Sequence, residues 1–94
     1  MILVVWKIKD TEILDNFMAK AKEFGETQYV LPNSFIIDTQ KDLKEIYIKL
    51  EQIVSNKGYF LLSEIERNKM LGILNSSTVN WINKKSSNFT SKNK

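Results

Sequence analysis

Residues 33–65 read NSFIIDTQKDLKEIYIKLEQIVSNKGYFLLSEI, and this stretch decides the fold. Ser34 to Asp38 is a short apolar run with β-branched Ile36 and Ile37 at its centre, the composition of a buried strand. Thr39-Gln40-Lys41-Asp42 places a hydroxyl three residues ahead of an acid, a capping pattern that predicts a helix starting at Thr39. Leu43, Ile46, Tyr47, Leu50, Ile53 and Val54 then fall on one stripe of a 3.6-residue period, with Lys44, Glu45, Lys49, Glu51 and Gln52 opposite. Glu45 precedes Lys49 by one helical turn, the orientation for an ion pair worth roughly 0.2–0.5 kcal/mol. Asn56-Lys57-Gly58 ends the helix, and Gly58 is expected in the left-handed cap conformation. Tyr59, Phe60, Leu61 and Leu62 make a second strand. A strand, a helix and a strand in one compact unit favour a right-handed crossover within one sheet.

The flanks extend this unit. Residues 27–31 read as a strand, and Pro32-Asn33 makes the turn that joins it to Ser34 in a hairpin, because proline removes a ladder donor. Residues 2–8 form the first strand. Ile2, Val4, Trp6 and Ile8 alternate onto a core face, and Leu3, Val5, Lys7 and Lys9 onto the other. Asp10 or Thr11 caps a helix carrying Ile13, Leu14, Phe17, Met18, Ala21 and Phe24 at helical spacing, and Gly25 closes it. The order is strand, helix, strand, strand, helix, strand. It predicts an α+β fold, the ferredoxin-like βαββαβ sandwich with both helices on one face. Residues 70–74, around Gly72, suggest a short fifth strand. Ser76, Ser77 and Thr78 offer caps for a short C-terminal helix holding Val79, Trp81 and Ile82, with Trp81 pinned to the core edge. Residues 1–83 are expected to form the single domain. Residues 84–94, KKSSNFTSKNK, read as a disordered lysine-rich tail.

Composition narrows the chemistry. Ninety-four residues suit one domain that buries roughly 60–70% of its unfolded surface. There is no cysteine and no histidine, which removes disulfides, thiolate catalysis, zinc–sulfur sites and the usual general base near neutral pH. The net charge of +3 is a property of the end of the chain. Lys84, Lys85, Lys92 and Lys94 account for four of fourteen cations, leaving ten against eleven acids, so residues 1–83 carry −1. A nearly neutral body argues against a broad nucleic-acid face. The four lysines are the residues expected to give weak, salt-sensitive contact with phosphate or an acidic partner. The apolar opening, residues 1–6, is too short to span a membrane and lacks a basic leader, so a cytoplasmic protein is expected.

Catalytic candidates reduce to carboxylates near strand and helix ends. Asp10 and Asp38 are the weak catalytic candidates, with Asp42, Glu64 and Glu66 beside them, and no spacing singles out a metal-binding pair. Ser34 and Ser63 have no histidine to activate them. The three glycines, 25, 58 and 72, stand apart and form no phosphate loop. No cofactor and no metal is expected. RNA-recognition domains share the strand order, but Trp6 alternates toward the core and the third strand lacks their Arg/Lys-Gly-aromatic run.

The strand ending Val4-Val5-Trp6, the hairpin Leu31-Pro32-Asn33-Ser34-Phe35-Ile36-Ile37, the helix from Asp42, the strand Tyr59-Phe60-Leu61-Leu62, and Gly72 followed by a Ser-led helix with a Trp together resemble one family. This is the CRISPR-associated protein two family, the dimeric partner of the spacer integrase, with its SinR-like paralogues. The resemblance spans roughly residues 2–83 and implies a ferredoxin-like homodimer packed sheet against sheet. It also implies a metal-binding aspartate after the aromatic that ends the first strand. Here Trp6 matches the aromatic, but Lys7 stands in the aspartate's place and Asp10 lies three residues on. A cation there repels a divalent metal.

The expected function is therefore a non-catalytic homodimeric interaction protein that binds a protein partner or nucleic acid. The alternatives are a metal-dependent nuclease using Asp10, Asp38 or Glu64, and a phage or mobile-element accessory protein of the same fold. The expected dimer interface is the sheet face left open by the helices: Leu3, Val5, Ile36, Tyr59 and Leu61.

Overall fold

A computed structural model describes residues 1–66, 69–85 and 90–91. The order is β1 (Ile2–Lys7), α1 (Thr11–Lys22), β2 (Glu26–Tyr29), β3 (Ser34–Asp38), α2 (Leu43–Val54), β4 (Tyr59–Glu64), β5 (Leu71–Gly72), α3 (Ser76–Lys85) and β6 (Thr90–Ser91). Four strands form one antiparallel sheet in the order β2-β3-β1-β4. The fold class is α+β. β1 and β2 run parallel with β3 between them, and β3 and β4 run parallel with β1 between them. Each long helix is thus a crossover that skips one strand. β5 lies outside this sheet and pairs with β6.

Alternation in β1 sorts the two faces. Ile2, Val4 and Trp6 are buried with Phe35 and Ile37 of β3 against Phe17 and Ala21 of α1 and Ile46, Leu50 and Val54 of α2. Both long helices therefore lie on one face. Each fully buried aliphatic or aromatic side chain contributes roughly 1.5–3 kcal/mol relative to exposure. The aromatic centre is Trp6, with ring centroids 5.2 Å from Phe35 and 6.2 Å from Phe17. The opposite parity supplies a second cluster, in which Ile36 and Ile82 are buried with Leu3, Val30, Ile65, Met70, Leu74, Val79 and Trp81 around them.

Several local expectations are corrected. Helix α2 starts at Leu43, not Thr39. Thr39 Oγ1 accepts from the Lys41 amide at 3.1 Å, a tight turn that keeps residues 39–42 out of the helix, and Asp42 is the cap residue. Glu45 reaches Lys41 at 3.9 Å in the preceding turn, not Lys49. At the end of α2, Ser55 takes the positive φ of 54°, and no described glycine has a positive φ. Gly58 is required for space instead: a Cβ there would sit 2.9 Å from Ile8 Cγ1 and 3.1 Å from the Lys7 carbonyl. Strand β2 ends at Tyr29, not Leu31, because Ser34 claims the turn. Its Oγ accepts from the Leu31 amide and donates to the Leu31 carbonyl, both at 3.1 Å, and Asn33 takes φ 63°.

Helix α3 also differs at both ends. Its cap is Asn75, whose Oδ1 accepts from the Thr78 amide at 2.9 Å, not one of the following hydroxyls. It runs through Lys84 to Lys85, two residues past the expected domain end at 83, and Thr90–Ser91 pairs with β5. The rest of the lysine-rich stretch, including Lys92 and Lys94, lies outside the described residues.

Candidate functional site

Among the described residues, helix α3 covers the β2–β3 half of the second sheet face and leaves most of the β1–β4 half exposed. Register places Leu3 opposite Ser63, Val5 opposite Leu61 and Lys7 opposite Tyr59, all with side chains on this face. Tyr59 is 75% exposed, Leu61 65% and Val5 38%. These three form an apolar strip. At the Tyr59 end it runs into a basic rim, where Lys7, Lys9, Lys57, Asn56 and Tyr59 surround a depression of about 570 Å³. At the other end Glu64, Glu66 and Asp42, with Lys41, line a depression of about 610 Å³. The strip thus lies between a basic end and a predominantly acidic one.

Two of the expected interface residues are covered by the chain itself. Ile36 is only 2% exposed beneath Ile82, and Leu3 is half-buried at the edge of the same cluster. Among the described residues, the expected interface side chains left exposed on this face are Val5, Tyr59 and Leu61. Beyond Leu3, residues 70–74 form one wall of an apolar groove of about 370 Å³, with Val30, Leu31 and Ile36 on the other side.

What holds α3 in place is a polar latch. Trp81 Nε1–H donates to Glu26 Oε1 at 2.7 Å, and Lys85 Nζ reaches the same oxygen at 2.9 Å and Asp38 Oδ2 at 3.3 Å. Lys85 also lies 5.6 Å from the Trp81 ring centroid. The hydrogen bonds from Lys85 and Trp81 hold the Glu26 carboxyl below its ordinary value. The bond to Glu26, opposed by desolvation and aided by Asp38, raises Lys85. At the other end of the helix, buried Thr78 donates Oγ1–H to the Tyr29 carbonyl at 3.0 Å and receives Gln28 Nε2 at 3.5 Å. Trp81 thus anchors the core edge as its position in the sequence suggested. Its partner Glu26, like Gln28 and Tyr29 beside Thr78, lies about fifty residues away, and no local pattern points to them.

The carboxylates expected as catalytic candidates are occupied and scattered. Asp10 Oδ1 accepts from the Ile13 amide at 3.0 Å as the cap of α1. Asp38 is paired with Lys85 at the opposite end of the sheet, since β1 and β3 are antiparallel. Among the described residues, no three acidic side chains gather where a metal ion could be held. Lys85, expected in a free nucleic-acid-binding tail, is half-buried in the latch, whereas Lys84 is exposed on the last turn of α3. No described helix is long and apolar enough to cross a membrane. Comparison of the chain with protein-family models, with curated proteins and with solved structures finds no match.

Proposed function

We propose that this protein is a non-catalytic interaction protein of ferredoxin-like fold that works as a homodimer, as its resemblance to the CRISPR-associated protein two and SinR-like group implies. Support for the fold reading is the order β2-β3-β1-β4 with both crossover helices on one face. The observation that carries the functional reading is the bare apolar strip of Val5, Tyr59 and Leu61 on the half-sheet that α3 leaves open. A strip of large apolar side chains, bounded by charge at both ends, marks a contact site rather than ordinary surface. Binding of a protein partner or nucleic acid by the assembled dimer belongs to the same proposal, with the Lys7, Lys9 and Lys57 rim as the cationic element.

Absence of nuclease chemistry is part of the reading. Its support is that Asp10 is spent on a helix cap, Asp38 on an ion pair, and Lys7 projects where the resemblance implies a metal ligand. Light scattering on the full chain tests assembly: a dimer at tens of micromolar that becomes monomeric in Leu61→Lys is expected, and a native monomer overturns it. An RNA and double-stranded DNA cleavage assay with magnesium or manganese tests the rest. Cleavage that disappears in Asp10→Ala would make the protein an enzyme.

A further inference from the structure

The two edges of the main sheet are treated differently. An edge strand presents unpaired backbone groups that can template another strand, and folded proteins usually blunt or cover them. At β2, the outward Tyr29 carbonyl is capped by Thr78 of α3. At β4, no such cover exists among the described residues. The Ile65 amide donates to the Met1 carbonyl at 2.9 Å and the Trp6 amide to the Asn33 carbonyl at 3.1 Å. By antiparallel alternation, Tyr59, Leu61 and Ser63 then bond to β1, and the amides and carbonyls of Phe60, Leu62 and Glu64 point away from the sheet. This edge is six residues long, with no proline and no lysine.

A groove runs beside that edge. Leu43, Tyr47, Phe60 and Leu62 line an apolar furrow of about 250 Å³ between α2 and β4. Tyr47 is 50% exposed and packs on Phe60 at 5.6 Å between ring centroids. Lys44 and Glu51 lie on the same flank of α2, Lys44 one turn toward its start and Glu51 one turn toward its end. The flank therefore reads cation, aromatic, anion.

We propose that the occupant of this edge is a second copy of the chain, its β4 antiparallel to the first about a two-fold axis through Leu61. This rests on the homodimer reading above, and sets pairing at the edge in place of the sheet-against-sheet packing that the resemblance implies. The axis pairs Phe60 with Leu62 of the second copy, and the outward amides and carbonyls form four hydrogen bonds. Leu61 meets Leu61, so the two apolar strips become one. The same axis sets Lys44 against Glu51 of the second copy, with Tyr47 of both between them. It also brings the basic start of each β4, at Lys57, to the acidic end of the other, at Glu64 and Glu66. Shifting the axis to Leu62 would instead put Glu64 opposite Phe60 on the apolar side. This self-complementarity of charge and register favours a second copy over an unrelated peptide.

Single cysteines test this directly, because the native chain has none. Leu61 faces its own copy across a non-hydrogen-bonded pair, with Cβ atoms ~4.5–5.5 Å apart, so Leu61→Cys is expected to cross-link rapidly on mild oxidation. Ser63→Cys alone is expected to stay monomeric on a denaturing gel, and to cross-link when mixed with Tyr59→Cys. Lys44→Glu should weaken association about fivefold at low salt, and adding Glu51→Lys should restore it. Val5→Lys should leave the dimer intact, whereas stacking of sheet faces would be broken by it. A dimer that lacks the cysteine pattern, or is lost in Val5→Lys, overturns the edge pairing and leaves the homodimer reading standing. A native monomer overturns both.

Discussion

Replacing Ile82 by alanine measures how firmly α3 belongs to the fold. Ile82 is 1% exposed and shares the second cluster with buried Ile36. The substitution removes three carbons, worth about 0.8 kcal/mol each in transfer, or about 2.4 kcal/mol together. A cavity term of roughly 24 cal/mol per Å³ adds to this wherever the site fails to collapse. Half-buried Val79, Trp81 and Leu74 surround the position and can relax inward, which limits that term. The expected loss is about 2–4 kcal/mol. For a domain of this size each kcal/mol shifts Tm by roughly 4–8 °C, so Ile82→Ala should melt at least about 8 °C lower. Circular dichroism melts and guanidinium unfolding followed at Trp81 give the two readouts. Leu61→Ala, at a position 65% exposed, serves as the surface comparison and should change stability by no more than about 0.5 kcal/mol when the chain is monomeric. A loss below about 1 kcal/mol for Ile82→Ala refutes the reasoning. So does a Trp81 signal that changes while the sheet melts as before, because α3 would then be an appendage outside the cooperative unit.

Three further outcomes follow from local geometry. Folding lowers the Glu26 carboxyl, so its contribution is present above the ordinary value of 4.5 and is lost as pH falls through the folded value; Lys85 is raised, so its contribution is present below 10.5 and is lost as pH rises beyond it. Melting temperature should therefore decline on both sides of that window, and Glu26→Gln should flatten the acid limb. Gly58→Ala should cost about 1–3 kcal/mol in denaturant titration, because its Cβ would press on Ile8 and the Lys7 carbonyl; Gly72→Ala, with nothing within 4 Å, should be neutral. Asp10→Ala should cost about 0.5–2 kcal/mol through the lost cap bond, and Asp42→Ala should cost less, because Asp42 makes no side-chain cap bond.

Strong periodicity was legible in the sequence, and competition between local hydrogen bonds was not. The alternation Ile2, Val4, Trp6 and the stripe Ile46, Leu50, Val54 name the core almost residue for residue, because burial is a property of each side chain taken in turn. Thr39 misleads because a hydroxyl can cap a helix or close a turn, and only the path of the chain after Asp38 decides which. Gly58 misleads in another way: its position after a helix suggests a backbone conformation, but its neighbour across the sheet dictates a size. The latch lies beyond reach of local reading. Trp81 and Glu26 are separated by three strands and one helix, β3, α2, β4 and β5. The candidate site suffered most from this. Once Ile36 is hidden beneath Ile82 and Leu3 is half-buried at the edge of the same cluster, the open face shrinks to a strip, and Lys85 changes from a tail cation into a clamp.

That the strip exists at all follows from dimensions. A helix is ~10 Å across and strands are ~4.8 Å apart, so one helix covers about two strands. Two helices, α1 and α2, close one face of a four-stranded sheet. Among the described residues a single helix, α3, lies on the other face and closes half of it. Which half is fixed by the latch: Glu26 and the Tyr29 carbonyl belong to β2 and Asp38 to β3, so these anchors hold α3 at that edge. Among the described residues, the same anchoring that shields the β2 edge leaves both the face and the edge of β4 without cover. An uncovered apolar face and an unpaired edge on one strand are each unfavourable alone in water. A second β4 lying alongside the first would relieve the edge, and it would join the two strips into one longer apolar face.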